Sequence, residues 1–149
     1  MTPGLAWFAR TYDRLSACEH QAVRDARLET ALELCGRGLG LKSLEICKRA
    51  GVPVAYGSDL LGQLQVDQSR EFLYRAEVLS PIEIIRQATL VGADVVRQTG
   101  KLGVVEPGAH ADLIVVDGDP LKDLGLFQNQ GRHLNAIMKA GVFHKNTLN

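Results

Sequence analysis

The chain has 149 residues, 46% of them hydrophobic and 23% charged, which suits one folded domain burying about two thirds of its unfolded surface. Lys plus Arg and Asp plus Glu number 17 each, so there is no electrostatic footprint for nucleic acid or an anionic membrane. No apolar run approaches the roughly 18 residues of a membrane-spanning helix.

Leu5-Ala6-Trp7-Phe8-Ala9 is too short for a signal-peptide core and has no basic segment before it, so the cytoplasm is the expected compartment. Leu5, Phe8, Tyr12 and Leu15 step along one face of a helix, introduced by Thr2-Pro3. Residues 18–35 remain helix-compatible until Gly36-Arg37-Gly38-Leu39-Gly40 breaks the pattern. Cys18, Cys35 and Cys47 contain no C-x-x-C spacing; an odd count without it argues against disulfides or structural zinc and for buried, inert thiols.

A helix is expected over about 41–50, with Leu44 and Cys47 on its apolar side and Gly51 as its stop. Val52-Pro53-Val54-Ala55-Tyr56 follows, an apolar run of the kind buried on both faces of a parallel sheet, with Pro53 near its beginning. Gly57-Ser58-Asp59 ends it, and a polar loop with Gly62 leads to a helix around 67–78. Ser80-Pro81-Ile82-Glu83 is a capping box with proline at the first helical position. The apolar face that follows runs to about Arg97, and Gly100 would close that helix. Residues 101–105, 112–117 and 136–145 read as strands. Turns are expected at Glu106-Pro107-Gly108, Asp117-Gly118-Asp119-Pro120 and Lys139-Ala140-Gly141-Val142.

An aspartate just past the carboxyl end of a buried parallel strand stands where α/β folds gather their active sites. Asp59 is that residue, and Gly57 would let the backbone turn tightly before it. The other reading of the same position is a cap on the next loop or helix.

The run Gly51-Val52-Pro53-Val54-Ala55-Tyr56-Gly57-Ser58-Asp59 resembles the eighth barrel strand of the amidohydrolase superfamily. The capped helix from Ser80, with Ala88-Thr89 and then Ala93, is similar to the helix that follows it there. Gly103-Val104-Val105-Glu106-Pro107-Gly108, the run from Ala111 to Leu121, and Ile137-Met138-Lys139-Ala140-Gly141 resemble the C-terminal signature and last hairpin. Each motif is weak alone; in this order, over about 41–146, they are specific. Imidazolonepropionase-like and Xaa-Pro dipeptidase-like members are the most similar branch.

The resemblance implies an α/β fold: residues 1–100 as the C-terminal part of a TIM-type (β/α)8 barrel and residues 101–149 as the β-rich segment of a small composite domain. It implies a metal-dependent hydrolase of amide-type C–N bonds acting on small-molecule or dipeptide-like substrates, with one or two divalent metal ions, zinc foremost. Asp59 would serve as metal ligand and as the general base that relays a proton from water to the leaving nitrogen. No further cofactor-binding residue is implied.

The departures matter equally. The family builds its site from an H-x-H pair, a Lys or Glu and two further histidines; His20, His110, His133 and His144 supply no such pattern. A catalytic zinc wants three protein ligands, and a barrel needs about 200 residues. The expectation is therefore that six or seven barrel strands and most of the metal site lie outside this chain and that it is incomplete for the chemistry alone, with metal binding by the chain itself left open. His110, His133 and His144 are expected to be without a functional role, and Asp112 to satisfy local backbone groups.

Two other readings stay open. One is a non-catalytic assembly or binding module, whose unpaired strand edges would make it a homo-oligomer. The other is a haloacid-dehalogenase-like phosphatase with Asp117-Gly118-Asp119 as its D-x-D motif, although Pro120-Leu121 departs from that motif. On this reading the hydrolase assignment fails should the Asp59 side chain be turned away into a surface turn with residues 52–56 not extended or not interior.

Overall fold

A computed structural model describes residues 38–148. The helical pattern on Leu5 to Leu15, the stretch 18–35, Cys18, Cys35 and His20 lie outside the described residues. The chain divides after Ile46 into two units; the described part of the first, residues 38–46, is helical.

Helix α1 spans Gly38–Arg49, and Cys47 on it is half-buried with a free thiol. Its end has the expected glycine stop. Gly51 sits at φ +67, its N–H donates to the Lys48 carbonyl at 3.2 Å, and the Val52 N–H reaches the Cys47 carbonyl at 2.9 Å. These paired bonds are a Schellman motif, which satisfies carbonyls the helix would otherwise leave open.

Residues 52–56 correct the sequence expectation: they form no strand, and Val52 is exposed. A parallel strand draws its hydrogen bonds from neighbours brought in from far along the chain, and the described residues contain no such neighbour. The Tyr56 N–H instead donates to the carbonyl of Gln87 at 3.1 Å.

The next helix is tighter than expected. A 3-10 helix spans Gly62–Arg70, and α2 occupies only Glu71–Arg75. Then Ser80 opens α3, Pro81–Arg86, with the capping box present. Glu83 Oε2 accepts from the Ser80 N–H and hydroxyl, each at 2.7 Å, and from Lys48 at 3.1 Å. These partners, the Ser80 hydroxyl first, pull the Glu83 carboxyl down to about 2. The helix then widens into a π-helical turn, Gln87–Val91, before α4, Gly92–Val95. In the wide turn Thr89 Oγ1 donates to the Ile85 carbonyl at 2.7 Å. Such turns release a backbone carbonyl from the helix ladder, and the Gln87 carbonyl taken by Tyr56 lies at its start.

The helix ends earlier than Gly100. Arg97 takes the left-handed position, φ +58, with its N–H on the Asp94 carbonyl at 2.9 Å and the Gln98 N–H on the Ala93 carbonyl at 2.7 Å. The expected strand over 101–105 is also absent; one isolated bridge pairs Thr99 with Leu102. Gly103, at φ +74, passes so close to the π turn that a Cβ there would lie 2.5 Å from the Thr89 carbonyl oxygen.

The remaining strands form as expected. β1 (Leu113–Val116), β2 (Leu134–Lys139) and β3 (Val142–Asn146) make an antiparallel sheet in the order β1-β2-β3. The β2–β3 hairpin turns at Ala140 and Gly141, φ +49 and +78, the pair of positive φ values that matches the right-handed twist of the flanking strands. Buried apolar side chains are Leu79, Ile84, Ala93, Leu124 and Ala136. Gln128 and Gln130 donate to the carbonyls of Ser69 at 2.6 Å and Val66 at 2.5 Å, tying the connection between β1 and β2 to the 3-10 helix.

Candidate functional site

Asp59 follows the unpaired apolar segment, exposed to solvent and at φ +52. The left-handed residue of this turn is thus Asp59 itself and not Gly57. Asp and Asn are the non-glycine residues that best tolerate that conformation. By the geometric criterion stated above, the position alone does not carry the hydrolase assignment: residues 52–56 are neither paired nor fully interior.

Tyr56, three residues before Asp59, packs against a polar and aromatic cluster that the sequence did not suggest. Arg75 is the buried charged residue of the described chain, 6% exposed. Its Nε donates to Glu71 Oε1 at 2.6 Å, its Nη2 pairs with the same oxygen, and its Nη1 donates to Gln87 Oε1 at 2.5 Å. Its guanidinium lies 5.2 Å from the centre of the Tyr56 ring, inside cation–π range. Tyr56 also stacks against Phe72 at 4.5 Å, Phe72 against Phe127 at 4.5 Å, and the Tyr56 hydroxyl donates to the Gln68 carbonyl at 2.8 Å. Burial, followed by the Glu71 charge, holds the Tyr56 hydroxyl well above its ordinary range. Burial also raises the Glu71 carboxyl, against the opposing pull of the Arg75 hydrogen bond and charge.

Sequence reasoning passed over these residues. The Glu71–Arg75 spacing is the i,i+4 pairing of a helix surface, which ordinarily lies in solvent. Only the packing of Tyr56 and Gln87 from elsewhere buries it.

The other candidates separate cleanly. Asp112 does serve backbone: its Oδ1 accepts from the Ala140 N–H at 2.7 Å, and this bond chiefly lowers its carboxyl. Asp119 accepts from the Leu121 N–H at 3.0 Å and pairs with Lys122 at 3.1 Å, so Asp117-Gly118-Asp119 is a turn after a strand in an antiparallel sheet. His110 and His144 are exposed and His133 half-buried. Among the described residues no three His, Cys, Asp or Glu side chains come together in a group able to hold a metal ion. The described residues therefore do not fit the divalent ion that the resemblance implied.

The profile of the Amidohydrolase family matches residues 9–143. The chain belongs to the amidohydrolase family. Among solved structures, an amidohydrolase is similar at 52% identity and a TM-score of 0.73, covering 75% of this chain and 27% of its own. A prolidase complexed with N-methylphosphonate-L-proline is similar at 41% identity and 0.70, covering 83% of this chain and 29% of its own. A Xaa-Pro dipeptidase with bound methionine, at 23% identity and 0.66 over 97% of this chain and 34% of its own, shows likeness of fold alone. A comparison with curated proteins found no match.

This amidohydrolase chain thus spans about a third or less of the length of these relatives. Family and relatives are hydrolases, and the relatives imply a TIM-barrel-like α/β fold. The described residues contribute helices and an antiparallel sheet, and no barrel strand is present among them.

Proposed function

We propose that this chain supplies the last βα units of an amidohydrolase barrel, through residue 100, and the β-rich segment of a composite domain from residue 101. Its enzyme hydrolyses the C–N bond of dipeptide-like substrates ending in proline. The observation that supports this most is the 41% identity, over 83% of the chain, to a prolidase held with a proline phosphonate.

Asp59 is the carboxylate of the reaction. It takes a proton from the attacking water and delivers it to the leaving nitrogen, a role that needs an ionised group reachable by water; Asp59 is exposed. The partners that would complete a divalent-metal site, zinc or another, come from outside residues 38–148, and the chain by itself is inactive.

The test begins with the coding sequence immediately upstream, read in frame for an H-x-H at the end of an apolar strand. The polypeptide that contains it is then assayed on a dipeptide whose C-terminal residue is L-proline. Asp59→Asn should lower kcat by about 10²-fold or more with KM little changed. Unaltered turnover in that variant would remove Asp59 from the mechanism.

A second reading has its own observation. Val52, Leu61, Val66, Val95, Val96 and Val105 are all exposed, and exposed apolar surface is what association sites are built from. They support an assembly module that pairs with a second copy of itself. A compact, monodisperse monomer in sedimentation would contradict it.

A further inference from the structure

The described residues offer no metal-ligand cluster, but they do place a buried cation against the ring of Tyr56, three residues before Asp59. Removing a guanidinium from water is costly unless its partners are well placed. Arg75 keeps three kinds of partner at once: the Glu71 carboxylate, the Gln87 side-chain amide and the face of the Tyr56 ring. Two of these converge on one point. Gln87 gives its side-chain oxygen to Arg75 and its backbone carbonyl to the Tyr56 N–H, at 3.1 Å. Tyr56 is fastened a third way by its hydroxyl on the Gln68 carbonyl.

Tyr56 is thus held from the backbone, from the ring face and from its far end, while only Gly57 and Ser58 separate it from Asp59. No strand partner performs this task among the described residues. We propose that Arg75 is a positioning residue: with Gln87 it clamps Tyr56 and thereby sets where the Asp59 turn begins. This rests on the reading of Asp59 given above. Arg75 does not touch the reacting atoms. It acts through Tyr56, and its π-turn partner Gln87 is what lets one residue hold both the cation and the backbone.

Amide hydrogen exchange on the full 149-residue chain tests this. In Arg75→Met, protection of the Tyr56 N–H should fall by about tenfold or more, with shifted Ser58 and Asp59 resonances, while the Ile84 amide in α3 keeps its protection. Arg75→Lys retains the charge and should restore part of the Tyr56 protection. A merely structural arginine would lower Tyr56 and Ile84 together, and that result, or an unchanged Tyr56 amide, overturns the proposal. Should Arg75→Met fail to fold, Gln87→Leu removes one partner of the guanidinium and should show the same selective loss at Tyr56; an unchanged amide there also overturns it. In the polypeptide that hydrolyses the dipeptide ending in L-proline, Arg75→Lys should lower kcat severalfold at near-constant KM. Asp59→Asn separates the two readings: normal hydrolysis in that variant ends the functional assignment, whereas the clamp is still decided by Tyr56 exchange.

Discussion

Val52-Pro53-Val54-Ala55-Tyr56 and Leu113-Ile114-Val115-Val116 are both short apolar runs bounded by turn residues, yet only the second is a strand. β1 finds its partner within the same stretch of chain, because β2 follows after one connection and the two pair antiparallel. The earlier run has no strand to pair with among the described residues, and side-chain clamps and one carbonyl from a π turn fix its end instead. An apolar run specifies the wish to be buried. Whether it becomes a strand depends on whether a neighbour with free N–H and C=O groups can reach it.

The comparison can be broken most directly at the clamp. Arg75→Met leaves the Glu71 carboxylate without its cation, and the opening should be confined to the Tyr56 segment: amide protection there falls by about tenfold or more while urea denaturation shows little global loss. The corresponding break on the other side of the π turn is Gly103→Ala. It adds a Cβ 2.5 Å from the Thr89 carbonyl oxygen in a backbone at φ +74, a combination of overpacking and strain that costs about 2–3 kcal/mol in the same measurement.

Smaller effects sharpen the contrast. Ser80→Ala removes one side of the capping box and should cost about 1 kcal/mol, as local a dependence as the β2–β3 turn. The box also predicts a pH response. Glu83 is held down to about 2 when folded, below the ordinary Glu value near 4.3. Its contribution is therefore complete above the unfolded value and is lost as pH falls from there through about 2. Because the carboxylate is exposed to solvent, the effect is modest and weakens with salt. An acid denaturation series of wild type against Glu83→Gln should show the two converging below pH about 3. The smallest change is expected at Asp59 itself. Asp59→Asn lies in solvent and keeps a side chain that accepts the left-handed backbone, so stability should stay within about 0.5 kcal/mol even though the proposed chemistry is lost.

What the sequence determined by itself is everything that short-range chemistry controls. The glycine stop at Gly51, the Ser80–Glu83 box, the Ala140–Gly141 hairpin and the backbone duty of Asp112 were legible because their partners lie within a few residues or on the adjacent strand end. The family, too, was legible, from the order of these local motifs. Only the tertiary structure decided the rest. It opened a π turn at Gln87 that gives no periodic sign in the residues. It buried Glu71 and Arg75, whose spacing describes a solvent-facing pair until Tyr56 and Gln87 are folded over them. Burial of a charge is a property of what is packed against it from elsewhere in the chain, and no local pattern encodes that.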